Sequence, residues 1–316
     1  MVTKVECPVC HSHMKYLFKK FDHDFFQCND CKFGKFNPVP DEKDILKRYS
    51  DDYFINEYLQ SYGASDHSVD MKVIYSRFDF IEQLVSKYHP ENLRKKKILD
   101  IGCGGGFLLK TFQERGWEVF GIDIIDRSIE FGRRVLGIPM EKLNFESTSP
   151  GKLIEKYGKF NLISITDVLE HFFDPISVLK KIADILKNDG VLFLSVPNIE
   201  SISFKYIGKE WAIISPLEHI SYFSPRSLKI ILEKNGFENI NIQILQYVNL
   251  ANVHKKSVRY HMARIAIYLI TRVYHIGFEG KEFYPEILHE KYFKENENGG
   301  FMGDVIIATG QKKNER

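Results

Sequence analysis

The stretch Lys97-Ile98-Leu99-Asp100-Ile101-Gly102-Cys103-Gly104-Gly105-Gly106-Phe107 constrains this chain more than any other. Its apolar run predicts a buried parallel strand ending near Asp100, and the glycines predict a tight turn. Phe107-Leu108-Leu109 with Phe112 then predict a helix that Gly116 closes. Glycine suits the turn because backbone N–H groups can approach a ligand with no Cβ in the way. A second predicted strand, Trp117 to Ile122, delivers Asp123 about 20 residues on, where an acid grips a ribose diol. A dinucleotide fingerprint needs a glycine at its sixth position, which here is the bulky Phe107. The spacing is instead Asp100-x-Gly102-x-Gly104-x-Gly106, and no P-loop Lys-Ser/Thr follows.

Strand and helix patterns go on alternating. A helix from about Arg127 to Leu136 is stopped by Gly137 and Pro139, and Leu143-Asn144-Phe145-Glu146 reads as the third strand. Ser147 and Thr148 leave it where an adenine edge is met in this architecture. A fourth strand, Phe160 to Ile165, delivers Thr166-Asp167-Val168-Leu169-Glu170-His171 to the carboxyl edge, where open α/β sheets bind ligands. Asp174-Pro175 caps a helix running through Leu186, with Gly190 as its end. Val191–Val196, Ile240–Gln246 and Val305–Thr309 supply strands five to seven. The fold class expected is α/β: a Rossmann-like seven-stranded sheet with helices on both faces. An insertion at 251–290 carries a long helix with Met262, Ile265, Leu269, Val273 and Ile276 against Arg264 and Arg272. It reads first as a core-packing or homodimer helix. Its second reading is contact through 258–276 with a membrane surface or lipid-linked substrate.

The N-terminus carries a separate signal. Cys7-Pro8-Val9-Cys10 and Cys28-Asn29-Asp30-Cys31 can converge on one tetrahedral Zn²⁺, with Tyr16-Leu17-Phe18 and Phe25-Phe26 forming a small hairpin core. A segment this short needs such a staple, so residues 1–36 are expected to be a zinc ribbon. Four thiolates leave no open position, so the Zn²⁺ is read as structural, and His11 and His13 as bystanders. Residues 37–90 are expected to be a helical linker and cofactor lid, with the helix around Val73 to Leu84 covering the sheet edge or cofactor mouth. Residues 91–316 hold the sheet.

Composition excludes some classes. A formal net charge of +2 with 27% charged residues gives no broad basic face, so nucleic acid is not the expected partner. Arg94-Lys95-Lys96-Lys97 reads as a solvated lead-in to a buried strand. No signal-like or membrane-spanning run is seen, and paired CxxC motifs suit a reducing compartment, so the cytoplasm is expected. Two histidines fall at the carboxyl edge: His171 after strand four, and His219 in Pro216-Leu217-Glu218-His219-Ile220-Ser221-Tyr222-Phe223-Ser224. Histidine is the usual base near neutral pH, and Glu218 is expected to orient the His219 imidazole.

These motifs together resemble a known family. The Asp100 to Gly106 spacing resembles motif I of class I S-adenosylmethionine-dependent methyltransferases. Asp123, Thr166 to His171, Leu186-Lys187-Asn188-Asp189-Gly190 and Ser195-Val196-Pro197-Asn198 are similar to its ubiquinone-methyltransferase-like branch. The paired CxxC ribbon and Glu218-His219-x-Ser221-Tyr222-Phe223-Ser224 resemble bacterial deoxysugar C-methyltransferases, without their C-terminal domain and with a foreign insertion at 251–290. The resemblance covers about 1–36, 90–247 and 304–310. It implies S-adenosylmethionine as cofactor, bound by Asp100, Gly102, Cys103, Gly104, Gly106, Asp123, Ile124, Ser147, Asp167 and Val168. It also implies a catalytic set of His219 as base, Glu218, His171 and Tyr222, with Tyr62 as a looser match on the sugar side. The acceptor it implies is a small hydroxylated molecule, a sugar or nucleotide sugar. The alternatives are an RNA methyltransferase whose ribbon contacts nucleic acid, and a quinone or lipid-linked O-methyltransferase.

Overall fold

A computed structural model of the chain describes residues 5–89, 96–245 and 304–314. The insertion helix expected within 251–290 lies outside the described residues. Four N-terminal strands, β1 (Val5–Glu6), β2 (His13–Lys20), β3 (His23–Cys28) and β4 (Gly34–Asn37), pair antiparallel in sequence order. The expected hairpin is β2–β3, with Phe18 stacked on Phe25 at 4.7 Å.

Helix α1 (Glu42–Arg48) starts at Asp41, whose carboxylate accepts the Lys43 N–H. A continuous helical segment over 51–61, here α2, follows, and it passes through one π turn at Phe54–Tyr58. Helix α3 (Met71–Tyr88) packs on α4 (Phe107–Glu114) and on the sheet. Segment α2 reaches the glycine turn through Tyr58, whose hydroxyl accepts Gly105 N–H.

The large sheet comprises β5 (Lys97–Ile101), β6 (Glu118–Asp123), β7 (Met140–Lys142), β8 (Phe160–Thr166), β9 (Leu186–Pro197), β11 (Phe237–Leu245) and β12 (Val305–Lys312). Its order is β7-β6-β5-β8-β9-β12-β11, parallel except for β12, which runs antiparallel to both neighbours. Chain order reverses between β5 and β8, and such a switch point opens a crevice at the carboxyl ends of those strands. Ile98 to Ile101 are all buried because helices cover both faces, which is why β5 reads as an unbroken apolar run.

Two expected boundaries move. The third strand is Met140–Lys142, not Leu143–Glu146. Leu143 N–H donates to Asp123 O at the end of the ladder, and Asn144 then turns the chain by accepting Ser147 N–H on its side chain. The helix begun at Pro175 ends at Ile185, and Gly190 lies within β9. Pairing there jumps from Phe160↔Leu186 to Leu162↔Val191, so Lys187–Gly190 bulge out of the ladder, with Asp189 at φ 61°.

The two sheets are stitched together. Strand β10 (Ser221–Tyr222) extends the N-terminal sheet by pairing with Lys35 and Gly34. Cys7, Cys28, Cys31 and Phe33 share one apolar cluster with Phe223, Leu228 and the large-sheet strands. Ser224 caps the next helix (Pro225–Lys234) through a capping box with Ser227, and its hydroxyl also donates to Cys31 O at 2.6 Å. Among the described residues no helix is long and apolar enough to cross a membrane.

Candidate active site

The glycine turn leaves β5 at the switch point. Gly102, Gly104 and Gly106 all have positive φ, and a Cβ on Gly102 would lie 2.6 Å from Val168. Gly102 and Cys103 N–H both donate to Ile122 O, which locks the turn on β6. Asp123 receives Gly104 N–H at 2.8 Å and Ile125 N–H at 2.9 Å, one on each oxygen. The Ser128 hydroxyl and Ile124 N–H also bond this carboxylate, which holds it oriented at the end of β6, where a ribose diol is gripped. The residues therefore fit the adenosyl end of a nucleotide.

The amino-acid end meets an obstacle. Gly105 N–H donates to Tyr58 Oη at 3.2 Å, and a Cβ on Gly104 would sit 2.2 Å from that hydroxyl. Tyr58, from the π turn of α2, thus stands in front of the loop, stacked on Phe54 and Phe107. Tyr62 tilts against Phe107 at 4.8 Å, in the glycine-loop core and apart from the histidines.

Other expected cofactor residues divide. Asp100 is buried and accepts Ser164 Oγ–H at 2.6 Å, and burial raises its pKa to about 7. It joins β5 to β8. Cys103 is packed against the Gly121 backbone, turned into the sheet. Ile124 is half-buried at the β6 end. Asp167 has φ 53° and accepts Ser195 Oγ–H at 2.8 Å, so this strained residue ends β8 at the rim beside Val168. Ser147 is exposed and bonds only within its own turn, to Asn144.

The histidines do meet. His171 and His219 rings lie 4.6 Å apart, one from the turn after β8 and one from the segment before β10. Ile220 N–H donates to Glu170 O at 2.9 Å and joins the two segments. Burial, and for His171 also the neighbouring His219, push the pKa values down to about 3 for His171 and about 4 for His219. Both rings are therefore neutral at pH 7. His219 Nδ1 lies 2.6 Å from Ile213 O. A carbonyl only accepts, so Nδ1 carries the proton and Nε2 is left as a basic lone pair.

The expected pairing of Glu218 with His219 is not what the structure shows. The Glu218 carboxylate accepts Arg48 Nε–H at 2.5 Å, because neighbouring side chains point apart and α1 supplies a cation. Arg48 also grips Glu57 with both terminal nitrogens. Tyr222 is 1% exposed, and its hydroxyl is used up by Ser215 N–H and Ile213 O. It is a wall of the 213–222 turn. Sequence reading missed Arg48 and Tyr49: Tyr49 Oη lies 2.6 Å from His171 Nδ1. Arg48 ends an unremarkable amphipathic helix and Tyr49 follows as its C-cap, and only the tyrosine richness nearby hinted at them.

Comparison with known proteins decides the class. A family described as "Methyltransferase domain" matches residues 73–242, more than half of the 316-residue chain. The chain belongs to this family. As a class I S-adenosylmethionine-dependent methyltransferase it is similar to the ubiquinone biosynthesis O-methyltransferase of Vibrio parahaemolyticus, 29% identical over 52% of this chain and 73% of that one. The methyltransferase of the same description from Bordetella avium is 28% identical over 59% of this chain and 80% of that one. Among solved structures, a SAM-dependent methyltransferase from Archaeoglobus fulgidus aligns over 81% of this methyltransferase and 98% of its own chain, at 19% identity and TM-score 0.46. The plantazolicin methyltransferase BpumL, in complex with an analog and SAH, aligns over 86% and 97%, at 14% identity and TM-score 0.49.

Proposed function

We propose that this methyltransferase methylates a hydroxyl of a small uncharged acceptor lying over the His171–His219 edge, with His219 as base. One observation carries the reading: the Ile213 carbonyl fixes the Nδ1–H tautomer, which leaves Nε2 of His219 as a basic lone pair on a ring 4.6 Å from that of His171. Bound S-adenosylmethionine supplies an electrophilic methyl group on a sulfonium. Gly102, Gly104, Gly106 and Asp123 would hold it, once Tyr58 withdraws from Gly105, with α2 serving as the lid. The side chains of Tyr49 and Tyr53, edge-to-face at 5.8 Å, give an aromatic wall on the acceptor side.

Arg48, the cation beside this wall, is already bonded to two carboxylates, which favours a neutral sugar or hydroxylated ring over a nucleotide diphosphate. The sugar reading leans on the ribbon and the Glu218-His219 motif. An aromatic acceptor is the second reading, favoured by relatives described as ubiquinone biosynthesis O-methyltransferases.

We propose also that Cys7, Cys10, Cys28 and Cys31 hold a structural Zn²⁺. Their sulfurs approach to 3.6 Å (Cys7–Cys31) and 3.4 Å (Cys10–Cys28). A tetrahedral ion with Zn–S of about 2.3 Å sets sulfurs about 3.8 Å apart, so the cluster fits after a small expansion. The test is mass spectrometry of turnovers with methyl-deuterated S-adenosylmethionine against free sugars, nucleotide sugars and catechols. A deuteromethyl ether on the free sugars or on the catechols supports the reading. Transfer to nucleotide sugars alone, or to none of the three, overturns the neutral-acceptor assignment.

A further inference from the structure

Gly104 has φ 50°, and the Cβ it lacks leaves room for a group to lie against its backbone. Here that group belongs to the chain itself. A Cβ built on Gly104 would lie 2.2 Å from Tyr58 Oη and 2.3 Å from Tyr58 Cζ, so the phenol fills the cradle the glycine opens. Its oxygen accepts Gly105 N–H at 3.2 Å, and its ring stacks on Phe54 at 5.3 Å and Phe107 at 5.9 Å. Burial raises the Tyr58 pKa well above its usual value, so the acceptor is a neutral hydroxyl. A backbone N–H bonds more strongly to a carboxylate such as that of S-adenosylmethionine. Tyr58 is thus a competitor that the cofactor can displace.

The competitor is fastened from the acceptor side. Glu57, the residue before Tyr58, is held through both carboxylate oxygens by the terminal nitrogens of Arg48. The same guanidinium donates from Nε to Glu218 at 2.5 Å and lies over the Tyr53 ring at 4.6 Å. Glu218 belongs to the segment that carries His219. One cation therefore ties α2 to the acceptor edge, a single residue away from the group that fills the glycine turn. The chain reaches Tyr58 through the π turn, in which Leu59 N–H donates to Phe54 O. Such a turn holds one residue more than an α turn. Converting it to α geometry re-aims the residues beyond it by about 100° around the helix axis. The π turn gives Tyr58 a way off Gly104 that leaves α2 helical.

We propose that α2 is an autoinhibitory strap: Tyr58 occupies the cofactor's place on the glycine turn, and Arg48, through Glu57 and Glu218, holds it there. This deepens the methyl-transfer reading and rests on it, since it concerns how the same site is opened. A strap closed in most molecules lowers the apparent cofactor affinity in proportion to the open fraction. Loosening it anywhere along its length must then tighten cofactor binding, even through residues whose bonds lie away from the glycine turn. A Tyr58 that served as a ligand of the bound cofactor would have the opposite sign, because its hydroxyl would strengthen binding.

Calorimetric titration of the full chain with S-adenosylhomocysteine separates the two. Tyr58→Phe keeps both ring stacks and loses only the bond to Gly105, so affinity should rise about fivefold. Arg48→Leu should raise it about threefold, the size expected of partly exposed ion pairs. Glu57→Gln breaks the same link from its other end and makes the same test if Arg48→Leu fails to fold. Unchanged or weaker binding by Tyr58→Phe overturns the strap. So does unchanged affinity in Arg48→Leu or, where that variant does not fold, in Glu57→Gln. No binding by any of the four proteins, wild type included, sinks the methyltransferase reading together with the strap.

Discussion

Tyr222 and His219 share one acceptor: Ile213 O lies 2.6 Å from His219 Nδ1 and 3.4 Å from Tyr222 Oη. The tyrosine hydroxyl also receives Ser215 N–H at 3.1 Å, so it holds the turn whose carbonyl sets the histidine tautomer. Tyr222→Phe should lower stability by about 1 kcal/mol and turnover about fivefold, with cofactor affinity unchanged. Equilibrium unfolding, steady-state kinetics and calorimetry check this. Unchanged turnover would mean that the turn holds itself.

Arg48 joins α1 to the site segment through Glu218 and to α2 through Glu57. These groups are partly exposed, so each pair is worth only a fraction of what a buried one would be. A double-mutant cycle of Arg48→Leu with Glu218→Gln should give a coupling of about 0.5–1 kcal/mol in unfolding experiments. Strict additivity would show that solvent already screens the pair.

The cysteine cluster shares its core with the large sheet, and Ser224 bonds Cys31 O while Tyr222 pairs with Gly34. Loss of the proposed Zn²⁺ should therefore weaken the whole chain. Cys28→Ser or a strong chelator is expected to lower Tm by on the order of 10 °C in one cooperative transition. A separate low-temperature transition confined to the N-terminal strands would contradict this coupling.

His89 is 3% exposed, bonds Thr309 Oγ1 at 3.1 Å, and is driven down to about 4 by burial. The unfolded chain protonates this group near 6.5, whereas the folded chain does so only near 4. The unfolded state binds more protons between those values, so stability falls as pH drops from 6.5 toward 4. His89→Gln should show a shallower loss than wild type over that window in urea titrations. Parallel curves would remove His89 from the acid response.

Much of the fold was legible because its signals are local. The β5 run, the positive-φ glycines and Asp123 follow from apolar patterning and from glycine's lack of a Cβ, all within a few turns of chain. The strand after Pro139 and the Gly190 bulge were misplaced because ladder register, set by distant partners, outweighs a punctuating residue. The candidate site was legible only in part. His171 and His219 lie at strand ends, where topology predicts ligands. The partners of Glu218 and His171 come from the C-terminal end of α1 and the residue after it, more than 100 positions away, and nothing in local pattern announces Arg48 or Tyr49. The second role of the N-terminal sheet, pairing with β10 beside the site, was equally hidden in a two-residue strand.

The most direct measurement compares His219→Ala with wild type in two readouts, turnover of the methylated acceptor and calorimetric binding of S-adenosylhomocysteine. If His219 takes the acceptor's proton, turnover falls by roughly 10²–10⁴ while cofactor affinity stays within about twofold. Equal losses in both, or full activity in the variant, would contradict the account.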